Sequence, residues 1–374
     1  MTPAIPLAVP SFDEEEERAV LDVVRSRWLT MGPRVEEFEG AFADAIGAPH
    51  AVMTSSCTTA LHLTFAASGI GPGDEVIVPS LTFVATANAA AYTGAEVRFA
   101  DIASLERPVM SAEATEALIG PRTAAICVVH FAGYVPDMEP FRRLAERHSL
   151  ALIEDAAHAP GALGPDGAAA GTLADAGCFS FFSNKNLVTG EGGMITTADE
   201  SLAARARTLR AHGMTATTWD RDRGHASGYD VIERGYNYRP TEVEAALGLV
   251  QLDKLGAMTA RRRELVCRYR EVLPADVGAV PFEGEDGRSA CHILPFVCHE
   301  AEMRDRIRGV AAERQVQTSV HYSPVHGFTT FGAPLPLAVT EDFSRREVTL
   351  PLYPGMSDDD VAVVADVVSS TPRS

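Results

Sequence analysis

Phe179-Ser180-Phe181-Phe182-Ser183-Asn184-Lys185-Asn186-Leu187-Val188-Thr189-Gly190-Glu191-Gly192-Gly193 sets one lysine between a run of aromatics and a glycine-rich turn. An aromatic strand on one side and a tight turn on the other confine the amine to a partly desolvated pocket. There it loses its proton more readily and acts as a nucleophile. An exposed loop is the commoner home of a lone lysine. Composition narrows the choice: of 32 basic residues only Lys185 and Lys254 are lysines, so chemistry that needs an amine has two places to be.

Upstream, Glu154-Asp155-Ala156-Ala157-His158 closes an apolar run at 150–154. A carboxylate at that strand end can hold the protonated ring nitrogen of pyridoxal phosphate (PLP) and keep the ring an electron sink. Alone, Asp155 reads equally well as a structural aspartate; with Lys185 downstream it does not. A third stretch, Thr54-Ser55-Ser56-Cys57-Thr58-Thr59-Ala60-Leu61, takes a strand into a helix through small hydroxylated residues. Free N–H groups and the helix dipole there favour a phosphate, although plain N-capping explains the same residues. Phe83, after the next strand end, can stack on a cofactor ring or sit in the core.

Outward from these motifs the pattern is α/β. Apolar runs at 51–54, 75–78, 96–100, 123–129, 150–154, 177–182 and 193–197 carry no polar alternation and are mostly separated by helical stretches such as 58–69, 82–93 and 136–148. That spacing predicts a mostly parallel seven-stranded sheet covered on both faces, with active residues at the strand ends. Helices are expected at 12–26, 33–46, 199–211, 241–255 and 257–272. Beyond Lys254 follow a strand at 289–298, a helix at 301–315, a strand at 316–320 and a closing helix at 357–369. The expected division is a large domain at 1–253, its N-terminal helix near the small domain, and a smaller α+β domain at 254–374.

A net charge of −19 repels a phosphate backbone and argues against a nucleic-acid binder, while leaving room for a local anion pocket. The six cysteines lack the C-x-x-C pairs of a zinc or redox site and read as buried free thiols of a reducing compartment. The opening residues turn acidic where a signal peptide is cationic, and no apolar run is long enough to span a membrane. A cytoplasmic protein without metal or membrane partner is expected.

The motifs together resemble the DegT/DnrJ/StrS family of sugar aminotransferases. The likeness runs from Trp28-Leu29-Thr30-Met31-Gly32-Pro33 through Pro79-Ser80-Leu81-Thr82-Phe83 and the Asp155 and Lys185 segments to Gly235-Tyr236-Asn237-Tyr238-Arg239 and Leu350-Pro351-Leu352-Tyr353-Pro354. It implies the PLP-dependent aspartate-aminotransferase-like fold (fold type I). It also implies that Lys185 is the Schiff-base lysine and proton carrier, that Asp155 holds the ring nitrogen, and that His158 lies beside the ring. Thr58, Ser180 and the neighbouring Cys57 and Thr59 are expected at the phosphate, Phe83 on the ring, and Asn237 at the phosphate of a partner subunit, hence a homodimer with shared sites. Thr30, Trp219, Arg239 and Tyr322 are the substrate candidates.

The expected reaction moves an amino group, from L-glutamate, to a nucleotide-linked keto-deoxysugar in amino-sugar or secondary-metabolite (antibiotic) biosynthesis. The glycine turn after Lys185 resembles members acting on 4-keto sugars. Cyclitol aminotransferases are the alternative, and Lys185 argues against the related sugar dehydratases, which carry histidine there. A non-catalytic regulator of the same fold would need a basic DNA-reading domain that the chain lacks. Two departures from the family stand out: Cys57 in place of a frequent glycine, and the segment 214–230 with Trp219, Arg221, Arg223 and His225.

Overall fold

The computed structural model describes residues 4–216, 219, 222, 224, 228–332 and 336–373. Strands β1 (His50–Thr54), β2 (Glu75–Pro79), β3 (Glu96–Ala100), β4 (Thr123–Val129), β5 (Ala151–Asp155), β6 (Ala176–Ser180) and β7 (Gly193–Thr197) form one sheet in the order β1-β7-β6-β5-β4-β2-β3. Only β7 runs antiparallel to its neighbours, so the sheet is mostly parallel as expected.

Successive side chains of a strand face opposite ways. Val52, Val76, Cys127, Cys178 and Ile195 enter one core cluster, and their neighbours Met53, Ile77, Ile126, Phe179 and Met194 the other. The strands therefore read as unbroken apolar runs. Helices α3 (Cys57–Ala67), α4 (Ala85–Tyr92) and α7 (Glu200–Arg210) cover the first face; α2 (Pro33–Ile46) and α6 (Glu139–His148) cover the second.

The helices expected at 241–255 and 257–272 are one, α8 (Glu242–Val272), and it crosses residues 253 and 254 unbroken. Thr241 caps it, reciprocated by Glu244. A mid-helix glycine costs only about 1 kcal/mol relative to alanine, so Gly256 does not break a helix packed against α1 (Glu14–Ser26), α2 and α11 (Asp358–Ser370). The N-terminal helix α1 is pinned to α8 by Lys254, whose Nζ lies 2.8 Å from Asp13 and 2.9 Å from Glu16.

Strands β8 (Gly278–Ala279), β9 (Leu294–Cys298) and β10 (Glu347–Leu350) make a second, antiparallel sheet. A third core cluster joins it to Leu265 and Tyr269 of α8, Ile307 of α9 (Ala301–Glu313), Val361 of α11 and Ile5. Two strand expectations are corrected here. Residues 289–293 precede β9 and dock on the loop after β4, Ala290 N–H donating to Gly133 O and His292 N–H to Ala132 O. Residues 316–320 form only single bridges, Val316 to Ile5 and Ser319 to Thr349. Helices α5 (Ala112–Leu118) and α10 (Ala338–Arg346) were not foreseen, being short and weakly patterned. All six thiols are free, and Cys267 is exposed rather than buried. Among the described residues no helix is long and apolar enough to cross a membrane.

Candidate active site

Strands β1, β5 and β6 run the same way, so the turns after Thr54, Asp155 and Ser180 gather along one edge of the sheet. A crevice at that edge is where open α/β sheets bind ligands. Here a cavity of about 380 Å³ is lined by Cys57, Thr58, Phe83, Asp155, His158, Ser180, Lys185 and Tyr322, all singled out from the sequence.

After β6 the chain doubles back: Lys185 N–H donates to Phe182 O at 2.9 Å, and Thr189 N–H to Phe181 O. The next residue anchors the turn, Asn186 Nδ2 donating to Ala290 O at 2.6 Å while its Oδ1 faces His292 Nδ1 at 3.1 Å. Burial of the Lys185 amine pushes its pKa down to about 8, against the opposing pull of Cys57 and Asp155. About a tenth of the amine is then neutral at pH 7, far more than for an ordinary lysine, as a nucleophile requires.

Asp155 accepts from Thr86 Oγ1 at 2.6 Å and from Ala157 N–H at 3.2 Å. Burial raises its carboxyl above the ordinary value, and these two hydrogen bonds only partly offset that. Among the described residues it makes no ion pair, so a cation placed beside it would relieve a standing desolvation cost. Its neighbour Glu154 points elsewhere and accepts from Gly171 N–H, Leu173 N–H and His130 Nε2 at 2.7 to 2.8 Å. The strand end thus separates a structural carboxylate from one presented to the cavity.

At the start of α3, Ser56 Oγ accepts from Thr59 N–H at 3.2 Å, and Thr59 Oγ1 donates to Ser56 O at 2.8 Å and accepts from Ser56 N–H at 3.0 Å. Thr59 is consumed by this capping box and does not line the cavity, which removes it from the expected phosphate contacts. The N–H groups of Cys57 and Thr58 and the Thr58 hydroxyl find no partner among the described residues. Across from them Ser180 Oγ only accepts, from Phe182 N–H at 3.4 Å, and keeps its proton to donate. A Cβ on Gly193 would overlap the Ser56 and Cys57 backbone, so glycine there lets β7 lie against the turn. Cys57 packs into the core cluster under α3, its thiol held protonated by burial and then by Asp155.

His158 Nδ1 accepts from Ala132 N–H at 3.3 Å, which fixes the ring proton on Nε2, facing Tyr322 Oη at 2.9 Å. Burial, then the charges of Lys185 and His321, keeps this imidazole neutral well below its usual range. The His292 ring lies 4.3 Å behind it. Phe83 is exposed at the mouth, 6.1 Å from Tyr322. Thr86, Asn186 and His321, which also lines the cavity, escaped the sequence reading; adjacency to Tyr322 was the one available signal for His321.

Four candidates lie outside this cavity in their own chain. Thr30 is exposed and bridged to Thr241. Trp219 packs edge-on against Trp28 at 4.7 Å. Arg239 is half-buried without an ion pair among the described residues, its pKa lowered by burial and by Arg210. Asn237 is exposed and makes no side-chain hydrogen bond among the described residues, and since Thr241 caps α8, capping does not account for it. Arg221, Arg223 and His225 lie outside the described residues.

The donor set fits PLP on its own chemistry: unpartnered N–H groups and hydroxyls at a helix start for a phosphate, an uncompensated carboxylate for a ring nitrogen, a deprotonatable amine for an aldehyde. Fold and site define a PLP-dependent transaminase. Residues 10–369 match the DegT/DnrJ/EryC1/StrS aminotransferase family, and the chain belongs to it. It is 41% identical to the spore coat polysaccharide biosynthesis protein SpsC of Bacillus subtilis, over 97% of this chain and 96% of that one. Spr1654 of Streptococcus pneumoniae in its PLP form superposes with a TM-score of 0.89 at 28% identity, covering 98% and 99% of the two chains. DesI, solved in the presence of its TDP-sugar product, does so with a TM-score of 0.88 at 32% identity, covering 98% and 92%.

Proposed function

We propose that this sugar aminotransferase moves an amino group from L-glutamate to a nucleotide-linked keto-deoxysugar, with a 4-keto sugar favoured, in the cytoplasmic assembly of an amino sugar or secondary metabolite. The observation that carries the reading is the pairing, across one cavity, of an amine shifted toward neutrality, Lys185, with a buried carboxylate that makes no ion pair among the described residues, Asp155. DesI was solved in the presence of its TDP-sugar product, which supports a nucleotide-linked substrate, and the resemblance of the sequence at 189–193 to 4-keto-sugar enzymes supports the regiochemistry.

Cys57 and Thr58 N–H, the Thr58 hydroxyl and Ser180 would hold the cofactor phosphate, Asp155 its ring nitrogen, and Phe83 and His158 would flank the ring. When bound, PLP supplies an electron sink for the carbon that loses a proton. Lys185 would hold the cofactor, and its amine would move the proton at the reacting carbon. Asp155 would sit beside the ring nitrogen, with Thr86 Oγ1 and Ala157 N–H fixing its orientation. Asn237, with Arg239 beside it, would reach the site of a second copy, making a homodimer with shared sites; its exposed side chain, with no hydrogen bond among the described residues, supports this.

The test starts from holoenzyme whose cofactor has been converted to the amine form by glutamate. A panel of nucleotide keto-sugars is then added, and the visible absorbance of cofactor held on Lys185 is followed. A nucleotide-linked 4-keto-deoxysugar is expected to restore it fastest. Restoration by a free cyclitol ketone alone overturns the reading.

A further inference from the structure

Behind the cavity, His321 is tied to two buried residues on the same face of β10. Its Nδ1 lies 2.7 Å from Thr349 Oγ1, which hydrogen-bonds in turn to Glu347 Oε1, and Glu347 Oε2 accepts from the His321 N–H at 2.8 Å. Thr349 and Glu347 are fully buried, two residues apart on a strand, and the backbone of Thr349 is paired with Ser319. Nothing in the cofactor site uses them. His321 Nε2 is the ring nitrogen left over, and the residue lines the cavity.

A threonine hydroxyl has one proton and here two neighbours, so it donates to one and accepts from the other. Burial and the Lys185 charge hold the His321 pKa down to about 4, so its ring is neutral and carries a single N–H. With Glu347 ionised, the carboxylate only accepts: Thr349 donates to it and accepts from His321 Nδ1–H, leaving Nε2 bare. With Glu347 protonated on Oε1 every arrow reverses, and Nε2 carries the proton.

We propose that Glu347 and Thr349 are positioning residues forming a hydroxyl relay that sets whether His321 offers the substrate a hydrogen-bond acceptor or a donor. The ligand class is a hydroxyl-bearing substrate, which rests on the sugar reading above: a sugar hydroxyl can donate to a bare Nε2 or accept from a protonated one. Burial lifts the Glu347 carboxyl to about 8, against Thr349, the His321 N–H and the guanidinium groups of Arg304 and Arg308 on α9. The other titratable groups facing it are the Cys298 thiol on β9 and the Tyr322 phenol, both pushed up and neutral. The relay therefore reverses within the working pH range, toward acceptor as pH rises.

Holoenzyme labelled with heavy-nitrogen histidine tests this by magnetic resonance, the His321 signals being those lost in His321→Gln. In the wild type, Nε2 should pass from protonated to bare as the pH rises through about 8. The transition should vanish in Glu347→Gln and Thr349→Val and return in Thr349→Ser. In Glu347→Gln and Thr349→Val, but not in Thr349→Ser, KM for the keto-sugar should rise about three- to tenfold, the worth of one hydrogen bond, with kcat less affected. An Nε2 that stays in one state throughout in unmutated enzyme, or a transition that persists in Glu347→Gln, overturns the relay. The resonance readout needs no substrate, so it separates the two proposals: a transition present while no keto-sugar reacts sinks only the sugar reading.

Discussion

The regions around Lys185 and Lys254 contain the chain's two lysines and treat them oppositely. Lys254 lies where α1 crosses α8, among Asp13, Glu15 and Glu16, and those carboxylates hold its proton more firmly than water would. Lys185 makes no ion pair among the described residues, and burial loosens its proton. The side chain is the same. What differs is whether the surroundings supply countercharge or merely exclude water, and only the second makes an amine a nucleophile.

Lys185→Ala should abolish transamination by many orders of magnitude, whereas Lys254→Ala should leave kcat near the wild-type value; steady-state assays of the two purified variants decide. Asp155→Asn should bind cofactor but lose most of its rate in the chemical step, because a neutral amide cannot stabilise a protonated ring nitrogen. Single-turnover amination at the wild-type rate would shift that role to another residue.

The contrast can be read without catalysis. In apoenzyme, acylation of Lys185 followed by mass spectrometry should rise with pH and reach half its plateau near 8, since the neutral fraction grows above the lowered pKa. Lys254 should stay unreactive across the same range. Mixing Lys185→Ala with Asn237→Asp extends the comparison to the partner chain: a one-to-one mixture of exchanging dimers should recover roughly a quarter of wild-type activity if sites are shared. No recovery would confine Asn237 to its own chain. The smallest effect belongs to Lys254→Ala on stability: stranding the buried Glu16 carboxylate should cost about 1–3 kcal/mol, seen as a few degrees in a thermal melt.

Lys185 and Asp155 were legible because their signals are local, an aromatic strand meeting a glycine turn and a carboxylate ending an apolar run. The strands of the large sheet were legible for the same reason, since burial on both faces leaves continuous apolar text. Thr86, which orients Asp155, and Ala290, which anchors Asn186, were not, because each lies far along the chain from its partner and only the folded sheet brings them together. Helix α8 was split in the reading at Gly256, where the residue texture changes; the helices packed along it outweigh a preference that small. Thr59 shows the opposite failure: its residue type suits phosphate or cap equally, and the cap won.

The anchoring of Asn186 bears on more than shape. Two hydrogen bonds from the residue next to Lys185 reach a segment preceding β9, so the amine is positioned by parts of the chain that never touch the chemistry. Each such tether removes orientations the amine would otherwise explore, and the amine's effective molarity at the reacting carbon rises accordingly. Loosening the 290–292 segment would dilute that amine without changing a single group in the cavity.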